Sequence, residues 1–223
     1  MPAAIDTSTP KTPDRPLFWD VDTQHDFIAP DGALPVPGAD QLITALACLT
    51  DYAHRNNYRI LASADDHDLS DAELSDSPDW HTTFPPHCLR GTKGQRKITA
   101  TSLRNPMIIE PVPQDSQTLT EMVRNHDGDF LVHKHAFDVF SNPNLLTVVD
   151  ALKPGRIVLY GVALDICDRY AVEGLLRHRP HLPIYLVTDA VQALDPKRAP
   201  ELLHDWEHRG VMLTTTHEVT ADE

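Results

Sequence analysis

The chain has 223 residues, 41% of them apolar and 23% charged, with a formal net charge of −14 from 19 Lys and Arg against 33 Asp and Glu. At roughly 150 residues per domain this is one folded unit with small extensions, and a core burying about 70% of the unfolded surface needs no covalent staple. The charge excludes the basic face that nucleic acid or an anionic membrane surface demands, and no stretch approaches the ~20 apolar residues of a membrane span.

Residues 1–15 are polar and Pro-rich and read as a loose tail. They lack the apolar centre of a secretion signal, and residues 16–223 are left as a single domain. Residues 17–22 (LFWDVD) predict a buried strand. Residues 39–55 place Leu42, Ile43, Leu46, Leu49 and Ala53 at helical spacing. Strands follow at 59–64 (RILASA) and 130–133 (FLVH), then a short helix at 145–152. A fourth strand at 156–162 (RIVLYGV) leads into a helix over 165–179, and a fifth follows at 183–188 (PIYLVT). The helix over 196–209 has Leu202, Leu203 and Trp206 as its apolar side, and 211–215 is a sixth strand. Strands apolar on both faces, alternating with amphipathic helices, predict an α/β fold: a doubly wound, Rossmann-like, six-stranded parallel sheet with helices on both faces. Residues 65–124 break the rhythm, being rich in Asp, Ser, His, Pro and Thr. A loop that long inside a compact domain is usually functional.

In such sheets ligands bind outside the carboxyl ends of the strands. That rim collects Asp22 after the first strand, Asp65, Asp66 and His67 after the second, Lys134 after the third and Cys167 after the fourth. Singly, each has an ordinary structural reading: a cap, a charged loop, a surface lysine, an inert thiol. Jointly they make a nucleophilic cysteine hydrolase. A helix N-terminus and an ammonium favour the Cys167 thiolate, Asp22 relays a proton to a leaving amine, and helix N–H groups receive an oxyanion. Cys48, mid-helix among apolar residues, reads as a core thiol, and Cys88 as structural. The three cysteines fit neither a disulfide framework nor a zinc ribbon, which predicts free thiols in a reducing cytoplasm.

Asp65-x-His67 with a loop His87 can hold one cation. Two imidazoles with one or two carboxylates suit zinc, iron or manganese rather than magnesium. Glu73 is the favoured fourth ligand, with Asp71 and His81 as alternatives and a merely solvated acidic loop as the ordinary reading. His133 and His135 flank Lys134 and are candidates for a supporting layer, and His25 faces the same rim. His54, His126, His178, His181, His204, His208 and His217 read as surface residues.

These residues resemble the isochorismatase-like cysteine hydrolases, and within them the nicotinamidases (pyrazinamidases). Val21-Asp22-Thr23-Gln24-His25-Asp26-Phe27 resembles the family's V-D-x-Q-x-D-F. Ala64-Asp65-Asp66-His67 resembles its D-x-H metal element, and Phe84-Pro85-Pro86-His87-Cys88-Leu89-Arg90-Gly91-Thr92 its W-P-x-H-C-x-x-G-T. Val132-His133-Lys134 with Phe137 and Phe140 resembles the lysine segment, and Gly161-Val162-Ala163-Leu164-Asp165-Ile166-Cys167 the nucleophile element G-x-x-x-D-x-C. The resemblance spans about residues 17–215. It implies the isochorismatase-like hydrolase fold, a catalytic Asp22, Lys134 and Cys167, and a cis peptide between Val162 and Ala163. It also implies an oxyanion hole from the N–H groups of Ala163 and Cys167, and Phe27, Phe84 and Phe137 around the substrate. The metal, zinc first, would sit on Asp65, His67, His87 and Glu73 and position a substrate ring. The implied reaction is hydrolysis of a small carboxamide through a Cys thioester, nicotinamide to nicotinate and ammonia, in NAD salvage by a cytoplasmic homo-oligomer. The sequence departs from the pattern at Glu73, where a second His is usual, at Phe84 for Trp, and at Ile166. Alternatives are another amide or carbamoyl hydrolase of the same superfamily, a metal-water hydrolase in which Cys167 is incidental, and a non-catalytic binding protein.

Overall fold

The computed structural model describes residues 15–221; the tail expected over 1–15 lies, but for Arg15, outside the described residues. Seven parallel strands form one sheet in the order β3-β4-β2-β1-β5-β6-β7. The strands are β1 (Pro16–Val21), β2 (Arg59–Asp65), β3 (Met107–Ile109), β4 (Phe130–Lys134), β5 (Arg156–Val162), β6 (Ile184–Gln192) and β7 (Met212–Thr214). The expectation of six strands missed β3, a three-residue edge strand. Its Ile108 is half exposed, so it lacks the continuous apolar run that marks the buried strands.

Period-two alternation divides β1 between two cores. Leu17, Trp19 and Val21 join the one formed with α3 (Ser116–Asn125), α4 (Leu145–Leu152), α5 (Cys167–His178) and α6 (Ala199–His208). Phe18 joins the opposite one, under α2 (Ile43–Arg55). A single turn, α1 (His25–Ile28), precedes α2, and the expected helix over 39–55 begins with a 3-10 turn, Ala39–Leu42. The helix expected from 165 begins at Cys167, because Ile166 N–H and Asp168 N–H both fold back onto the carbonyl of Ala163. Strand β6 runs four residues past its expected end. A register shift opposite Leu159 and Gly161 accommodates polar residues that read as a strand terminus; Thr188 Oγ1 donates to the Thr214 carbonyl and Asp189 accepts from Thr216 N–H. Helix α3 and the short α7 (Thr216–Thr220) were not foreseen, although each has a capping signal: Asp115 accepts from Thr118 N–H, and Thr215 with Glu218 forms a capping box.

The chain leaves β1 toward β2 on one side of the sheet and leaves β5 toward β6 on the other. The carboxyl ends of β1 and β5 therefore flank the crevice where the winding reverses. Asp22 follows β1 and Cys167 opens the helix after β5. No helix among the described residues is long and apolar enough to cross a membrane.

Candidate active site

Register brings the rim residues together. Asp65 pairs with Lys134 across β2 and β4, and Val21 with Ser63 across β1 and β2. Asp22, just past β1, has a left-handed backbone (φ 47°). Its Oδ1 accepts from Ser63 Oγ at 2.6 Å and its Oδ2 lies 3.0 Å from Lys134 Nζ. Lys134 Nζ also donates to Asp65 Oδ1 and sits 3.7 Å from Cys167 Sγ. Asp22 and Lys134 are wholly buried and Cys167 nearly so. Burial opposes the Lys134 charge, but Asp22, Asp65 and Cys167 hold its pKa well above the ordinary lysine value. The sequence offers Cys167 groups that favour the thiolate, and burial opposes them. Burial pushes the thiol well above its usual range, Lys134 pulls it down, and Asp22 and Asp65 push it up again. Desolvation outweighs the pull of Lys134 and favours the protonated thiol beside Asp22.

The Val162–Ala163 peptide is cis. Among the described residues neither Ala163 N–H nor Cys167 N–H has a backbone acceptor. Both stand at the turn that carries the thiol.

Asp65 turns its second oxygen to another cluster. Its Oδ2 is 3.7 Å from His67 Nε2 and 3.7 Å from His87 Nε2, while His67 Nε2 is 2.8 Å from Glu73 Oε1. One ligand atom from each of Asp65, His67, Glu73 and His87 falls within 4.8 Å of the others, and all four residues are buried. His67 Nε2 and Glu73 Oε1 face each other with no hydrogen-bond partner. Burial lowers the His67 pKa, but Asp65, Glu73 and Asp71 outweigh it and raise it to about 10. The cluster therefore favours positive charge at its centre. Two imidazole nitrogens, two carboxylates and orphaned atoms aimed inward fit a divalent metal. Of the alternative ligands, Asp71 lies outside this set, on His67 Nδ1 at 2.9 Å, and His81 is an exposed loop residue.

Phe27, Leu34, Val36, Phe84, Phe137, Ala163, Ile166 and Leu194 line one cavity, with Asp65, His87 and Cys167 in its wall. Phe27 packs against the His87 ring at 5.2 Å, and Phe84 meets Phe137 edge-on at 5.6 Å. A roomier groove with Tyr58, Tyr185 and Glu218 opens at the amino ends of the strands, away from this chemistry.

The structure places the remaining candidates. His25 pairs with Asp31 at 3.2 Å. His133 and His135 face Asp66 at 3.8 Å rather than the Lys134 amine. His54 is half-buried on Asp129 at 2.9 Å. Cys48 is half-exposed rather than core, with Thr220 Oγ1 at 3.9 Å. Cys88 is fully buried. Its N–H donates to Asp26 Oδ2 at 2.7 Å, in keeping with a structural role.

Sequence reasoning missed Gln24, which clamps the Asp65 backbone: Asp65 N–H donates to its Oε1 at 2.7 Å, and its Nε2 donates to the Asp65 carbonyl at 2.8 Å. Its place in the V-D-x-Q motif was the available signal. Asp168 was also missed; it is wholly buried beside Cys167, and neither carboxylate oxygen has a hydrogen-bond partner.

The sequence matches the isochorismatase domain over residues 20–218, and the chain belongs to that family. Its relatives include the nicotinamidase of Saccharomyces cerevisiae, 23% identical over 174 residues covering 66% of this chain and 74% of that one. A probable inactive nicotinamidase of Arabidopsis thaliana is 20% identical over 201 residues, covering 89% of this chain and 91% of that one. Among solved structures, a pyrazinamidase of Pyrococcus horikoshii in complex with zinc shares the fold with a TM-score of 0.68 and 22% identity, over 90% of this chain and 99% of that one.

Proposed function

We propose that the protein hydrolyses a small heteroaromatic carboxamide, with nicotinamide as substrate and nicotinate and ammonia as products. One observation carries the reading: Asp65 joins two centres on one aromatic-walled cavity, its Oδ1 on Lys134 and its Oδ2 toward both histidines. The zinc-bearing pyrazinamidase and the yeast nicotinamidase support it. A divalent metal, zinc first, would be held by Asp65, His67, Glu73 and His87, and would offer an anchoring point for a ring-nitrogen lone pair.

The reaction itself falls to the chain's own residues. Phe27, Phe84 and Phe137 hold the ring and exclude water. Cys167 Sγ attacks the carboxamide carbon as its proton passes to Asp22, and the N–H groups of Ala163 and Cys167 receive the oxyanion. Asp22 returns the proton to the amide nitrogen, ammonia leaves, and a thioester remains. Asp22 then takes a proton from water as the oxygen attacks the thioester. The acid is released, and the proton goes back to Cys167. Lys134 stabilises the negative charge that moves between Asp22 and Cys167. Because the resting thiol is protonated, its deprotonation accompanies attack rather than preceding it.

The test is ammonia release from nicotinamide by the purified protein, with chelator, with zinc restored, and with Cys167→Ala. Release that requires both Cys167 and metal supports the reading. No release from folded, metal-loaded protein sinks nicotinamide as substrate, and activity that survives Cys167→Ala overturns the thioester.

A further inference from the structure

Each histidine of the buried cluster presents Nε2 inward, and each has its other nitrogen spoken for. His87 Nδ1 lies 2.7 Å from the Pro85 carbonyl, a backbone acceptor that no side-chain change removes. His67 Nδ1 lies 2.9 Å from Asp71 Oδ2, a side chain. One turn of chain arranges this: Asp71 N–H donates to the Asp68 carbonyl at 3.0 Å, Leu74 N–H to the Asp71 carbonyl at 3.0 Å, and Asp68 N–H to Asp71 Oδ2 at 3.0 Å. Residues two apart therefore address opposite nitrogens of one ring, Asp71 from outside and Glu73 from inside.

From this geometry we propose that Asp71 is the positioning residue of the metal centre. It accepts the Nδ1 proton of His67, fixes the tautomer that leaves Nε2 as a lone pair, and makes the ring a stronger donor through its charge. Hydrogen-bond partners behind a ligating histidine commonly govern metal affinity 10- to 100-fold. The two ligating histidines differ here in kind, because only His67 depends on a replaceable carboxylate. The proposal rests on the metal reading above but not on the identity of the substrate.

The test is zinc affinity of full-length Asp71→Ala and Asp71→Asn, by competition with a chromophoric chelator and without substrate. Thermal melts of the metal-free proteins verify folding. Asp71→Ala is expected to bind zinc roughly 10- to 100-fold more weakly. Asp71→Asn keeps an oxygen acceptor without the charge and should fall between. In zinc-loaded wild type the His67 Nδ1 proton should give a slowly exchanging imidazole NMR signal, absent from Asp71→Ala. A role confined to the loop would move the melt and leave that signal in place. Zinc affinity of Asp71→Ala equal to wild type, or a persistent signal, overturns this proposal alone. Failure of the wild type to bind zinc overturns it together with the metal reading. Zinc binding that weakens as expected in a protein inert to nicotinamide leaves it standing.

Discussion

Replacing Lys134 by Met keeps the stem and deletes the charge between three buried partners. The amine stands 3.7 Å from Cys167 Sγ. At an effective dielectric of about 20, a unit charge at that distance stabilises the thiolate by about 4 kcal/mol, or roughly a thousandfold. The thiol is already pushed up by burial, so Lys134→Met should raise it further and slow alkylation of Cys167 by iodoacetamide by up to that factor at any fixed pH. The kcat/KM for carboxamide hydrolysis should fall to a similar degree. The variant also leaves Asp22 and Asp65 facing each other without their common cation, and stranding buried charge in this way costs about 3–5 kcal/mol. Lys134→Arg, which keeps the charge, serves as the companion where the Met variant melts too low. Alkylation is followed by mass spectrometry, with half-exposed Cys48 as an internal reference. A folded Lys134→Met protein whose Cys167 alkylates, and whose kcat/KM holds, within threefold of wild type would refute the electrostatic account.

Asp168→Asn should stabilise the protein increasingly as pH rises. Burial, Asp22, Asp165 and Asp20 raise the native pKa of Asp168 above the 3.8 of a free side chain. The native state therefore binds the extra proton, and wild-type stability is lost upward from about pH 4 at up to ~1.4 kcal/mol per unit; parallel denaturation curves for the two proteins across pH 5–8 would contradict this. Gln24→Ala strips the N–H and carbonyl of buried Asp65 of partners at 2.7 and 2.8 Å. The loss should be about 1–3 kcal/mol by urea denaturation, with a higher KM because Asp65 loosens toward both centres; an unchanged midpoint and KM would count against the clamp. Gly161 has φ +134°, and a Cβ there would lie 2.0 Å from the Val21 carbonyl oxygen in the neighbouring strand. Gly161→Ala should cost roughly 3 kcal/mol or more, and a melting temperature within a few degrees of wild type would show that β1 and β5 separate more easily than their packing implies.

The strands most legible in the sequence were those buried on both faces, because they present continuous apolar runs. Five were found that way; half-buried β7 was read from the short apolar run at 211–213, and β3 escaped because half exposure at Ile108 erases the signal. The rim residues were legible for a different reason. Strand ends are easy to place, and the carboxyl-end rule turns placement into proximity without any knowledge of contacts. The same rule cannot order residues 66–106, whose path is set by side-chain bonds rather than by periodicity. Arg90 and Gln95 bind Asp66, and Asp26 takes the Cys88 N–H. Asp71 was therefore read as a possible ligand, whereas it stands on the outer nitrogen of His67.

Proton states were the least legible feature, since they depend on what surrounds a group rather than on what it is. The sequence offered Cys167 a helix N-terminus and a lysine, and both argue for thiolate. It gave no sign that the lysine would be shared with two carboxylates at zero exposure. That sharing changes the chemistry. An ammonium committed to Asp22 and Asp65 cannot hold a free thiolate against the cost of burial. It can follow a negative charge passing from Asp22 to Cys167, because both lie within 4 Å of the same nitrogen. In the mechanism we propose, burial favours the protonated thiol at rest, and its proton leaves as the bound amide completes the oxyanion contacts.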